Sequence, residues 1–148
     1  MHRPLPTLHA TRTFAAAVAA QARPGDAILL EGPLGAGKSE FARAFLRAAC
    51  ADPTLEVPSP TFTLVQTYPS RLGPIHHFDL WRLDGPAALE ELGWDELSRD
   101  IVLVEWPDRL GALRPPDSLT IKLHQTGPDS RDAEIDGWPN RLLWSRSI

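Results

Sequence analysis

Eight residues, Gly32-Pro33-Leu34-Gly35-Ala36-Gly37-Lys38-Ser39, constrain the fold more than any other feature, because they match G-x-x-x-x-G-K-[ST] in full. A loop of that kind lets successive backbone N–H groups converge on phosphate oxygens, and a helix starting at Lys38 adds the positive end of its dipole. Lys38 would set its ammonium by the β- and γ-phosphates, and Ser39 would offer its hydroxyl to Mg²⁺. Only Lys38 and Lys122 are lysines among the 15 Lys and Arg residues, so a lysine here is not a by-product of a lysine-rich chain. A dinucleotide-binding turn is excluded, since Gly35-Ala36-Gly37 is followed three residues later by Glu40 where a third glycine belongs.

The motif means something only between a strand and a helix, and the flanking sequence supplies both. Ala27–Glu31 is a short apolar run of strand length, and Phe41, Ala44, Phe45 and Ala48 recur at i, i+3, i+4 and i+7. Residues 11–22 read as an earlier helix with Phe14, Ala17 and Val18 on one face, stopped by Pro24-Gly25-Asp26. Three prolines between residues 51 and 60 predict a loop, because proline lacks the N–H that either ladder needs. Residues 64–68 and 75–80 read as strands around a turn at 70–74. A helix is expected from Pro86 to Gly93 with Leu89 and Leu92 facing inward. Ile101-Val102-Leu103-Val104, flanked by charge, fits a buried parallel strand. Residues 119–123 and 132–135 alternate like a hairpin, and residues 138–148 fit a short closing helix packed through Trp138, Leu142 and Trp144. Strands joined by helical crossovers imply an α/β fold, a three-layer domain with a mixed, partly parallel sheet. At 148 residues without linker or repeat, the expectation is a single domain spanning residues 1–148.

Composition narrows the function. A net charge of -4 supplies no general field for a phosphate backbone, which disfavours independent nucleic-acid binding. No run approaches the ~20 apolar residues of a membrane span, no signal peptide is visible, and the single Cys50 fits a reducing compartment, so a cytoplasmic protein is expected.

A phosphate loop needs acidic partners, because Mg²⁺ takes oxygen ligands and hydrolysis needs a positioned water. Asp79 closes one predicted strand and Glu105 closes another, and ligands of open α/β sheets sit at the carboxyl ends of strands. Glu105, on the more apolar strand, is the better metal-side candidate. His76 and His77 point to opposite faces of their strand and cannot readily share an ion with Asp79, which leaves them structural or supporting roles. Cys50 is expected to be a buried thiol, and Trp106 either core or a gating and partner-contact residue.

Four segments in this order resemble the tRNA threonylcarbamoyladenosine biosynthesis protein TsaE family, also called YjeE: the glycine loop 32–39, Ser59-Pro60-Thr61-Phe62-Thr63-Leu64-Val65, His77-Phe78-Asp79-Leu80-Trp81-Arg82-Leu83, and Leu103-Val104-Glu105-Trp106-Pro107. The resemblance implies a P-loop NTPase-like ATPase with ATP/ADP held at Pro33, Leu34, Gly35, Ala36, Gly37, Lys38, Ser39 and Glu40, and with Thr11 and Arg131 approaching the nucleotide. It further implies Mg²⁺ on Ser39 and Glu105, a need for Asp79 in hydrolysis, and switch-like behaviour of the Ser-Pro-Thr and Glu-Trp segments. Ordering of residues 51–63 would bring Thr61 toward the γ-phosphate. The implied task is to support TsaB and TsaD as they modify adenosine beside the tRNA anticodon. ATP hydrolysis would reset that complex, and tRNA would be met only through the partners. Two departures stand out: Pro33 where the family has Asp, and Ser39-Glu40 where it has two Thr. Ser39 keeps the metal-binding hydroxyl, whereas Glu40 loses one that commonly reaches the α-phosphate and adds a negative charge. A small-molecule kinase or a non-hydrolysing regulatory module would share the loop, although no long lid-like insertion is visible for the former.

Overall fold

The computed structural model describes residues 1–60 and 63–141, so Thr61, Leu142, Trp144 and most of the expected closing helix lie outside the described residues. In chain order the elements are β1 (His2–Leu5), α1 (Leu8–Gln21), β2 (Ala27–Glu31), α2 (Lys38–Ala49), β3 (Val65–Tyr68) and β4 (Ile75–Asp79). There follow α3 (Ala87–Glu91), α4 (Trp94–Leu97), β5 (Ile101–Glu105), a 3₁₀ segment (Pro107–Leu113), β6 (Leu119–Gln125) and β7 (Arg131–Asp136).

The strands form one sheet in the order β1-β7-β6-β2-β5-β4-β3. β6, β2, β5 and β4 run parallel, and β1, β7 and β3 join antiparallel at the two sides. The first four residues of β2 and all of β5 are buried, which is what their unbroken apolar runs require of strands covered on both faces. α1 and α2 pack on one face, where Phe14 meets Phe41 edge-on with ring centroids 5.8 Å apart. The short helices α3 and α4 and the 3₁₀ segment cover the other through Leu89, Trp94 and Leu110. The fold is therefore a three-layer α/β P-loop NTPase-like domain with a mixed, partly parallel sheet, as expected.

Several local expectations are corrected. The first helix starts at Leu8 rather than Thr11, because Thr7 caps it by accepting a hydrogen bond from Ala10 N at 3.0 Å. β1, absent from the sequence reading, forms by pairing with β7. Leu64 adopts φ 67° and stays outside β3, which starts one residue later. Leu92 does not face inward: it is 41% exposed, since α3 ends at Glu91 and Gly93 turns the chain at φ 87° into an unforeseen α4. Trp94 takes the buried place instead, its ring 5.2 Å from that of Phe78. Cys50, expected to be buried, is half-buried at the end of α2; burial first and Asp52 second push its thiol up, which keeps it protonated and poorly nucleophilic.

Candidate functional site

The loop between β2 and α2 is shaped by two glycines in particular. Gly32 lies at φ 142°, and a Cβ there would come within 2.7 Å of the Leu123 carbonyl oxygen on β6, a backbone atom that cannot swing aside. Gly37 ends the loop at φ 105°, the left-handed region, and so launches α2 with its first N–H groups facing the loop. The guanidinium of Arg131, at the start of β7, donates from Nε to the Ala36 carbonyl at 2.9 Å and from a terminal nitrogen to that of Gly35 at 3.2 Å. Arg131 thus braces the loop from behind, as an antiparallel strand two removed from β2 can.

A cleft of about 330 Å³ opens over this loop, lined by loop residues Leu34 to Gly37, by Lys38, Ser39 and Glu40, and by Ser59, Asp79, Trp81, Glu105 and Trp106. β4 and β5 deliver the two carboxylates, because Asp79 and Glu105 are register partners at the carboxyl ends of adjacent parallel strands. Both are buried. Asp79 accepts hydrogen bonds from Trp81 N at 3.1 Å and Ser59 Oγ at 3.4 Å. Glu105 accepts from Ser39 Oγ at 3.1 Å and faces His77 Nε2 at 2.7 Å.

Lys38 is buried, with its ammonium donating to the carbonyls of Gly32 and Pro33 and lying 4.0 Å from the centre of the Trp106 ring. Burial pushes its pKa below the ordinary 10.5, against the upward pull of Glu105, Asp79 and Asp108. Trp106 sits at φ 60°, a conformation that costs a non-glycine residue on the order of 1–2 kcal/mol. Its ring lies against exposed Trp81, with centroids 4.4 Å apart. Trp106 thus lines the cleft while it also packs, partly buried, against the core on that face of the sheet.

Of the residues expected to hold nucleotide, Leu34 to Glu40 come together here, whereas Pro33, Thr11 and Arg131 do not line the cleft. Pro33 contributes its carbonyl to Lys38 rather than a surface to the cleft. Thr11 is buried in α1, outside the cleft lining, and its hydroxyl has no hydrogen-bond partner among the described residues. Glu40 does line the cleft, but its carboxylate is drawn off by Arg12 Nε and an Arg43 terminal nitrogen, both at 2.7 Å. The added charge is thereby covered by two cations. Sequence alone gives Trp81 no site role, brings Ser59 in only through the Ser-Pro-Thr segment of the resemblance and leaves His77 a structural or supporting one; the nearness of Trp81 and His77 to Asp79 along the chain is the signal available for both.

The donor set fits Mg²⁺. A serine hydroxyl and a carboxylate oxygen 3.1 Å apart are hard oxygen donors, and Mg²⁺ is commonly held by one or two protein ligands together with phosphate oxygens and water. No group of three His, Cys, Asp or Glu able to hold a metal on its own exists among the described residues, His76-His77-Asp79 included.

A glycine loop feeding a helix from a central parallel strand, beneath carboxylates from the next two parallel strands on one side of it, is the architecture of the P-loop NTPase class. Comparison with known proteins narrows the class. The family described as threonylcarbamoyl adenosine biosynthesis protein TsaE matches residues 5–133, and this chain belongs to that family. The tRNA threonylcarbamoyladenosine biosynthesis protein TsaE of Rickettsia bellii is 38% identical over 126 residues, spanning 84% of this chain and 87% of the relative. The protein of the same name from Bacillus subtilis is 36% identical over 133 residues, 88% of this chain and 82% of the relative. Among solved structures, the crystal structure of Bacillus subtilis YdiB aligns with a TM-score of 0.75 at 29% identity, covering 97% of this chain and 90% of that one.

Proposed function

We propose that this chain is a Mg²⁺-dependent ATPase that serves tRNA threonylcarbamoyladenosine biosynthesis by acting on a complex of TsaB and TsaD, in the cytoplasm, and meets tRNA only through them. The observation that carries the reading is the convergence of Lys38, Ser39, Asp79 and Glu105 on one cleft over the glycine loop. The relatives' names supply the pathway. The loop N–H groups and the start of α2 would bind the ATP phosphates, with Lys38 leaving its two carbonyls and the Trp106 face to meet them. Ser39 and Glu105 would hold Mg²⁺, which when bound neutralises developing phosphate charge. Asp79, tied to Ser59 and to the backbone of Trp81, would orient the attacking water and take up its proton. ADP would stay on the same loop, braced by Arg131.

ATP turnover measured with and without purified TsaB and TsaD, beside a screen of phosphate acceptors, tests the reading. Release of inorganic phosphate that rises with the partners supports it, whereas transfer of phosphate to a small acceptor identifies a kinase instead. Binding of ATP without turnover under any condition identifies a regulatory module. Within the site, Glu105→Ala should weaken the Mg²⁺ dependence of nucleotide binding. Asp79→Ala should cut turnover by about 10²-fold or more with little change in affinity.

A further inference from the structure

We infer that His77 is a positioning residue for Glu105: its Nε2–H holds one carboxylate oxygen so that the other stays aimed at Ser39 and at the Mg²⁺ the pair would hold. This rests on the reading of the cleft given above. The His77 and Glu105 side chains are only 2% and 4% exposed, and Nε2 lies 2.7 Å from Oε2. The second oxygen, Oε1, is the one that receives the Ser39 hydroxyl at 3.1 Å. The two oxygens are thus divided between a donor in the protein interior and the cleft. A glutamate's terminal torsion is broad and roughly two-fold, so packing alone does not choose the plane of its carboxylate. A ring anchored on the adjacent strand does. His77 is the register partner of Leu103, and two residues further on Asp79 is the partner of Glu105, which puts His77 on the same sheet face one step behind the carboxylate.

The neighbouring histidine shows what a structural role looks like. His76 satisfies both ring nitrogens, Nδ1 with Thr67 at 2.9 Å and Nε2 with Asp100 at 2.9 Å. His77 has no such second partner: its Nδ1 is buried without a hydrogen bond among the described residues. Its whole polar function is directed at Glu105. Groups that orient a metal-binding carboxylate in this way typically change metal affinity by about 10–100-fold when removed.

Calorimetric titration of Mg²⁺ into protein saturated with ADP tests the inference, alongside ADP titration in EDTA. His77→Phe, which keeps ring volume and removes the donor, should weaken Mg²⁺ by about tenfold or more while leaving metal-free ADP affinity near that of the unmodified chain. His77→Gln, whose amide nitrogen reaches the Nε2 position, should recover most of the loss, and His77→Asn, whose amide stops short at the Nδ1 position, should not. If His77→Phe does not fold, the Gln and Asn variants decide between themselves. Equal, undiminished Mg²⁺ affinity in the variants, with a clear Mg²⁺ response in the unmodified chain, overturns the role of His77 and leaves the site intact. A chain whose ADP binding ignores Mg²⁺ altogether overturns the reading of the cleft, and this inference with it.

Discussion

Lys38 shows how one side chain can be legible in sequence and still be placed by tertiary structure. Its position in the glycine loop, and the Gly32 and Pro33 carbonyls it meets, are properties of eight consecutive residues, but the Trp106 ring over it is supplied by the segment after β5. Lys38→Ala should abolish tight ATP binding in calorimetry while the variant melts within about 4 °C of the unmodified chain. The fold should survive because the ammonium faces the cleft. With its folded-state pKa below 10.5, the unfolded chain holds more protons over that interval. Lys38 therefore costs stability at neutral pH, and the cost fades as pH climbs toward the unfolded value. The alanine variant should lack that alkaline rise in melting temperature. Lys38→Arg should also bind poorly, since a planar guanidinium does not replace a compact ammonium among carbonyls and phosphates. Glu40 makes the complementary point: its charge is plain from sequence, but its neutralisation depends on Arg12 of α1, brought alongside by the packing of two helices.

Among the elements, long apolar or periodic runs declare themselves and short ones do not. β2, β5 and α2 emerge from their patterns with correct bounds to within a residue or so, because burial on two faces or on one helical face leaves a strong signature. The region 86–98 has no such signature. Leu92 and Trp94 are both apolar, two residues apart, and only the break at Gly93 decides which one is inside. Trp94→Ala should cost about 3–5 kcal/mol in chemical denaturation, the loss expected for a large buried aromatic. Leu92→Ala should cost about 1 kcal/mol or less, because most of that change happens at the surface. The reverse order would mean that α3 continues through Gly93. β1 escaped notice for a related reason: four residues with a proline among them carry little pattern, and pairing with β7 is what makes them a strand.

For the whole molecule, the sheet brings the three carboxyl-terminal strand ends of β2, β4 and β5 to one edge, and Ser59, on the described part of the connection from α2 to β3, lines the cleft over that edge. Ser59 on this connection already reaches Asp79 at 3.4 Å. A partner that displaces Ser59 would act on the carboxylate directly, which is the physical basis for expecting partner-dependent turnover. The chain alone should hydrolyse ATP slowly, TsaB and TsaD should accelerate it markedly, and Thr61→Ala should remove the acceleration while leaving nucleotide binding in place. Trp81 and Trp106 provide an optical check, because their rings meet at 4.4 Å beside the loop. Tryptophan emission that shifts on adding ATP and partners, and shifts less in Thr61→Ala, would tie the partners' effect to the cleft. Partner-independent turnover, identical in Thr61→Ala, would sever it.

The sequence by itself determined the glycine loop, the strands and helix that flank it, the layered α/β class and the two carboxylates, because each follows from local backbone chemistry or from a period of burial along the chain. Tertiary structure alone decided what those residues touch. Asp79 and Glu105 became neighbours only through parallel register, His77 found Glu105 only across adjacent strands, and Arg131 reached the carbonyls of Gly35 and Ala36 from 95 or more positions away. Thr11, close to the nucleotide by resemblance, lies buried in α1 outside the cleft lining. A hydrogen bond is good only over a few tenths of an ångström. Sequence spacing specifies which groups an element carries, but distances on that scale exist only after the sheet has assembled.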